Sequence, residues 1–177
     1  MADILQTARL TLRPMRMEDA PALHGFFSDP IAMAYWSKPH ATFEETEAWV
    51  RGTVEAPASQ TREYSILLGE EVVGKAGLWK SPELGYFLRR DHWGKGYMPE
   101  ALTTLIPHLH REMCEVMTAE VTPGNTPSLS LLADMGFKET HRGEKDYWDG
   151  TAWIDTIYLQ RTATDPILVR RPKEARG

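Results

Sequence analysis

The chain has 177 residues, 20 of them basic and 25 acidic, for a formal net charge of −5. Its length suits one domain with a full core, and 42% hydrophobic with 25% charged residues is ordinary globular usage, which excludes wholesale disorder. Mild acidity argues against a nucleic-acid binder that depends on a broad basic face, and the single cysteine, Cys114, excludes an intramolecular disulfide framework and every cysteine-rich zinc module.

The opening MADILQTARL lacks a basic segment followed by an apolar one, and no run approaches ~18 apolar residues. The expectation is a cytoplasmic protein with no membrane span. Residues Ala8 to Arg13 alternate strictly, with Leu10 and Leu12 toward a core and Arg9, Thr11 and Arg13 outward, and Pro14 ends that strand. Met17-Glu18-Asp19 opens a helix with acids where the dipole favours them; Ala22, Leu23, Phe26 and Phe27 form its apolar stripe, and Ser28-Asp29-Pro30 stops it. Thr42 to Glu45 has the form of a capping box, predicting a second helix over about 43–51 and a loop over 52–61. Three strands follow: Glu63 to Leu68, Val72 to Trp79 after a Gly69-Glu70-Glu71 turn, and Glu83 to Leu88.

A long helix is predicted from about Tyr97 to Met113, with Ala101, Leu102, Leu105, Ile106, Leu109 and Met113 on one side. Pro107 lies in its interior, where a proline costs ~3 kcal/mol, so a kink or a break is expected. Val116 to Val121 reads as a strand and Thr126 to Met135 as a short helix, capped by Asn125 and closed by Gly136. A hairpin completes the domain: Phe137 to Trp148, a turn at Asp149-Gly150, and Trp153 to Leu159. The order predicts an α/β (α+β) layout, one mixed sheet with helices on its faces. Residues 163–177 form a basic C-terminal tail, expected to be solvated, although Ile167-Leu168-Val169 would suit docking on a neighbouring edge strand.

Two segments carry candidate chemistry. In ELGYFLRRDHWGKGYMPEA, Glu83 to Ala101, a strand runs into Trp93-Gly94-Lys95-Gly96 and a helix begins at once. Glycines there let the backbone approach a ligand, and the N–H groups of a helix start favour a phosphate. Arg89, Arg90 and Lys95 add positive charge. The stretch matches neither the P-loop nor the dinucleotide fingerprint, and by itself a tight turn explains Gly-x-Gly equally well. The second segment, TPGNTPSLSLLADMGF from Thr122 to Phe137, again places a capped helix directly after a strand.

Together with the opening ARLTLRPM and the closing WIDTIYL, these segments resemble, in order, the GNAT superfamily of acyl-CoA-dependent N-acetyltransferases, and within it the RimJ/RimL-type branch of ribosomal-protein alanine acetyltransferases. The resemblance covers about residues 7–162. It implies a GNAT fold: a single mixed, mostly antiparallel sheet of about seven strands flanked by about four helices, with the acyl-CoA site where the central strands splay. The family pattern Arg/Gln-x-x-Gly-x-Gly/Ala falls on Trp93 to Met98, departing from it at Trp93 and Met98. By resemblance the donor acetyl-CoA would be held by Phe87, Leu88, Arg89, Arg90, His92, Trp93, Gly94, Lys95, Gly96, Tyr97 and Met98. Asn125 would bind the pantetheine arm, and Ser128 would lie near the thioester sulfur.

Acetyl transfer to an amine needs a neutral nucleophile, an anchored thioester and a proton for the departing thiolate. Glu83 is the candidate base and Ser128 the candidate proton donor, with Tyr86, Tyr97 and Tyr158 as alternative acids; the plain alternatives are a strand-edge carboxylate and a first-turn helix serine. In this family the segment between the first two helices walls the acceptor pocket, which makes Trp36 and His40 acceptor candidates. His108 and His110 are two apart on a helix and face different ways, so no metal site is expected. Cys114 reads as a small buried hydrophobe. The expected partners are acetyl-CoA and an amine, with neither nucleic acid nor membrane, in a monomer or homodimer. An α-amine with a pKa near 8 is about 10% neutral at pH 7 and a lysine amine near 10.4 about 0.04%, so one carboxylate suits a protein N-terminal or similar amine. The alternatives are a small-molecule amine acetyltransferase of antibiotic or metabolite type, and a non-catalytic acyl-CoA sensor in which Met98 crowds the loop.

Overall fold

Alternating apolar residues build the sheet, and the helices cover both of its faces. The computed structural model describes residues 3–169. In chain order the elements are β1 (Leu5–Gln6), β2 (Leu10–Pro14), α1 (Ala20–Phe27), α2 (Phe43–Glu55), β3 (Arg62–Leu68), β4 (Glu71–Lys80), β5 (Glu83–Leu88), α3 (Tyr97–Glu112), β6 (Val116–Val121), α4 (Thr126–Asp134), β7 (Lys138–Trp148) and β8 (Trp153–Thr162). The eight strands form one sheet in the order β1-β2-β3-β4-β5-β6-β8-β7. Every neighbouring pair is antiparallel except β5 and β6. The eighth strand, beyond the seven expected, is β1; two residues carry no readable alternation.

One face is covered by α3 and α4, where Leu102, Leu105, Ile106 and Leu109 are fully buried against Leu12, Ile66, Leu78 and Met117. Burying each such side chain is worth about 1.5–3 kcal/mol. On the other face, Leu23, Phe26 and Phe27 of α1 and Val50 of α2 pack with Met33, Val72 and Phe87. Phe26 and Phe87 stack with ring centroids 3.6 Å apart, which fixes α1 over the end of β5.

Several expectations are corrected. Asp19 does more than meet a helix dipole: it is buried, and both its carboxylate oxygens accept from Arg13 at 2.7 and 2.8 Å. The Ser65 hydroxyl and the Arg16 N–H also donate to it. Burial alone would raise this carboxyl, but these donors bring it below its ordinary value. Arg13 therefore turns inward to its partner instead of facing water. The second helix runs on to Glu55, a full turn past the expected end. Pro107 does not break α3, which is continuous to Glu112, because the proline sits on the exposed side while Leu105, Ile106, His108 and Leu109 anchor the turns around it.

The beginning of the tail is docked on α4, not on an edge strand. Arg161 of β8 donates to the carbonyls of Met135 and Asp165, and the Leu168 N–H donates to the Asp134 carbonyl at 2.7 Å. Ile167 packs against the core beneath it. Gly136 is required here: its φ is +85°, and a Cβ would lie 2.6 Å from the Pro166 carbonyl oxygen. Residues 170–177 of the expected tail lie outside the described residues.

Candidate active site

The parallel strands β5 and β6 pair at a single position, Glu83 with Thr118, and then diverge. Beyond that rung a cavity of about 1130 Å³ opens between them. Its walls come from both segments singled out in the sequence and from the aromatic residues of the α1–α2 segment.

At one end is the loop from β5 to α3. His92, Trp93, Gly94, Gly96, Tyr97 and Met98 all line the cavity. Gly94 and Gly96 adopt φ values of +71° and +77°, conformations costly for any side chain. Gly96 is the residue from which α3 starts, so the first-turn N–H groups, without intrahelical partners, are presented there. Trp93 is tied to the strand end by its indole N–H, which donates to the Leu88 carbonyl at 2.8 Å. Arg9, expected to face solvent, braces this loop. It donates to the Lys95 carbonyl at 2.9 Å and to Glu100 at 2.7 Å, with its guanidinium 4.5 Å from the centre of the Tyr97 ring. His92 is buried, and its Nδ1 has no hydrogen-bond partner among the described residues. An orphaned buried nitrogen in the wall and a side-chain-free loop at a helix start fit a phosphate-bearing ligand with polar groups along its arm.

Mid-cavity, Asn125 caps α4 by accepting from the Ser128 N–H. The Ser128 hydroxyl lies 2.6 Å from that of Tyr86, so a residue of β5 and one of α4 meet across the gap left by the diverging strands. Withdrawal from water raises the Tyr86 phenol to about 12, which keeps it protonated at any working pH. Glu83 also lines the cavity, and burial raises its carboxyl to about 7. Glu120 on β6 pushes in the same direction, while a hydrogen bond from Trp79 and the charges of Lys80 and Lys75 oppose it.

The far end is aromatic: Tyr35, Trp36, Trp49, Trp79 and Tyr147 contribute to its wall. The β7–β8 tip is pinned there, since Tyr147 donates to the Trp36 carbonyl at 3.2 Å and the Lys38 N–H to the Asp149 carbonyl at 2.8 Å. Behind this wall is a pair that sequence reasoning missed. Lys75 and Glu63 are fully buried with 2.7 Å between Nζ and Oε1, and the Lys75 ammonium lies 5.0 Å from the Trp36 ring centre. The signal was present, because a lysine within the apolar run VVGKAGLW needs a buried acid.

Phe87, Leu88, Trp36 and Asn125 thus join the glycine loop, Glu83 and Ser128 around one cavity. Four expected residues stand apart. The Arg89 side chain is committed to Glu71 and Asp91, and that of Arg90 to Asp29. Lys95 is exposed on the outer side of the loop. His40 stacks on Phe27 at 4.5 Å and is hydrogen-bonded to Thr46, in the packing behind the aromatic wall. Of the other candidates, His108 meets the Tyr64 hydroxyl in the core and His110 the Cys114 carbonyl, both structural. Among the described residues no group of three or more His, Cys, Asp or Glu is placed to hold a metal ion, and no helix is long and apolar enough to cross a membrane.

An eight-stranded sheet split at one parallel seam, with a glycine loop opening onto it, defines an acyltransferase architecture, and comparison with known proteins agrees. Residues 9–138 match the acetyltransferase (GNAT) domain family, and the chain belongs to it. It is 33% identical over 148 residues to the uncharacterized N-acetyltransferase p20 of Bacillus licheniformis, covering 77% of this chain and 83% of that one. It is 23% identical over 165 residues to an L-methionine sulfoximine/L-methionine sulfone acetyltransferase of Pseudomonas paraeruginosa, covering 85% and 92% respectively. Among solved structures, the ribosomal L7/L12 alpha-N-protein acetyltransferase RimL in complex with coenzyme A superposes with a TM-score of 0.81 at 20% identity, over 90% of this chain and 98% of that one. This protein is a GNAT-family N-acetyltransferase.

Proposed function

We propose that the protein transfers the acetyl group of acetyl-CoA to a primary amine by direct attack. The observation that carries this reading is the Tyr86–Ser128 hydroxyl pair at 2.6 Å, set across the strand gap in the cavity that Glu83 also lines. The glycine loop and the start of α3 would hold the phosphates, with the family's pattern residues Gly94 and Gly96 supplying backbone alone; Asn125 and the orphaned His92 nitrogen would meet polar groups of the arm. Glu83 takes a proton from the amine as the C–N bond forms, and Ser128 gives one to the sulfur as the C–S bond breaks. Tyr86, a permanent donor, hydrogen-bonds the Ser128 oxygen and leaves the serine proton free for that step. Among the described residues no cysteine lines the cavity, and burial raises the Cys114 thiol, so a thiol-bound acyl-enzyme has no support here.

Met98, which favoured a non-catalytic sensor, packs with Ala101 and Leu102 in the core and is only 7% exposed. Calorimetry with acetyl-CoA followed by thiol release over a panel of amines tests the proposal. Gly96→Val should abolish acetyl-CoA binding while the protein stays folded by circular dichroism. Unchanged affinity in that variant would remove the loop from the site. A single base suits a weakly basic α-amine; Glu120, a second carboxylate in the cavity, extends the range to more basic amines.

A further inference from the structure

Among the described residues the cavity wall contains no lysine or arginine, and its two charged side chains are both acids, Glu83 and Glu120. At the α3 end this is no obstacle to an anion, since backbone N–H groups of the glycine loop and helix start would receive it. Away from that end the charged lining residues are Glu83 and Glu120, and the wall includes the aromatic residues Tyr35, Trp36, Trp49, Trp79 and Tyr147. Glu83 registers with Thr118 across the seam, so Glu120, two residues further along β6, is on the same face of the sheet. Strand geometry puts the two carboxylate-bearing Cα atoms roughly 8 Å apart before the strands splay. Neither carboxylate forms an ion pair among the described residues. The charges around them are Asp146, acting on Glu120, Lys75, acting on Glu83, and Lys80, acting on both. Lys75 lies behind Gly85, outside the cavity wall, and is ion-paired with Glu63.

Resting on the acetyltransferase reading, we infer that the acceptor is a small aliphatic diamine: an amine with a second positive charge and no carboxylate. Its reacting nitrogen meets Glu83, and its distal ammonium meets Glu120 beside Tyr35, Trp79 and Tyr147, which are exposed like Glu120, so that the cation gains from the carboxylate and the rings while partly hydrated. A free amino acid would bring a carboxylate to a wall with no cation to receive it, beside two like charges.

The test uses three matched acceptors with the full-length protein. Cadaverine is the diamine, n-pentylamine lacks its second cation, and L-lysine adds a carboxylate to it. Thiol release should give cadaverine a kcat/KM at least tenfold above either of the others, and above a short peptide with a free N-terminus. In Glu120→Gln the ratio of cadaverine to pentylamine should fall toward one, while calorimetry finds acetyl-CoA bound as in the wild type. Equal or better turnover of pentylamine, lysine or the peptide overturns the inference and leaves acetyl transfer standing. No turnover of any amine by a protein that binds acetyl-CoA also overturns it, whereas failure to bind acetyl-CoA overturns the reading on which it rests.

Discussion

Because burial raises the Glu83 carboxyl to about 7, the group is mostly protonated in mild acid and becomes a base only above neutrality. Wild-type kcat/KM should therefore rise through pH 7 in a pH–rate profile. Glu83→Gln should lose about 10²–10⁴-fold at pH 7 and recover part of it at pH 9, where more of the amine is neutral unaided. Full activity of that variant at pH 6.5 would exclude Glu83 as the base. Ser128→Ala should be impaired equally at every pH, since thiolate departure does not depend on the state of the amine. Stability carries the same signature with its own sign. A carboxyl with a raised folded-state pKa favours folding while protonated and loses that contribution as pH climbs through 7. Thermal melts should thus find Glu83→Gln more stable than wild type at pH 8, with the difference shrinking as pH falls and gone below the unfolded value of about 4.5.

At the scale of the element, α3 joins a glycine loop that faces ligand to a helix side buried in the core, and only one of its sixteen residues opposes the helix. Pro107 gives up a backbone N–H at an exposed position where packing holds the turn regardless. Pro107→Ala should restore that hydrogen bond and stabilise the fold by up to about 3 kcal/mol, raising Tm by several degrees with acetyl-CoA affinity unchanged. This element also shows what a sequence can and cannot disclose. Local signals were sufficient for its ends: glycines before Tyr97, apolar spacing through Leu109. They were insufficient for Arg9, which reaches it from a strand about ninety positions earlier; alternation says only that Arg9 leaves the core, not that another element awaits it. The same limit hid the partners Glu63 and Lys75 from each other, and hid the ion pairs of Arg89 with Glu71 and Asp91 and of Arg90 with Asp29. That Glu83, Asn125 and Ser128 line one cavity was legible because each belongs to a strand end or cap whose geometry is local.

For the molecule as a whole, the chain closes on itself where residues 163–169 dock on the end of α4, the helix that carries Ser128. Asp165 is central to the latch: hydrogen bonds from the Thr162 N–H and from Lys138 hold its carboxyl down to about 2. A protein ending at Thr162 loses the Asp165 carbonyl that receives Arg161, the Ile167 packing and the Leu168 hydrogen bond. It should melt several degrees below one ending at Val169, and turn over more slowly because α4 has lost its brace. Equal melting temperatures would make the docked segment incidental.

The single rung between β5 and β6 has a consequence for the breathing of the sheet. In a ladder, every second N–H of a strand points to each neighbour, so past Glu83 half of the β5 amides look into the cavity with no strand opposite. Deuterium should enter those amides of residues 84–88 quickly, although the side chains of Leu84, Phe87 and Leu88 are buried. A donor whose arm carries its own amide groups would act as the absent strand. Adding acetyl-CoA should then slow exchange along this seam first, before the outer strands β1 and β7 respond, and mass spectrometry of the exchanged peptides would read the order.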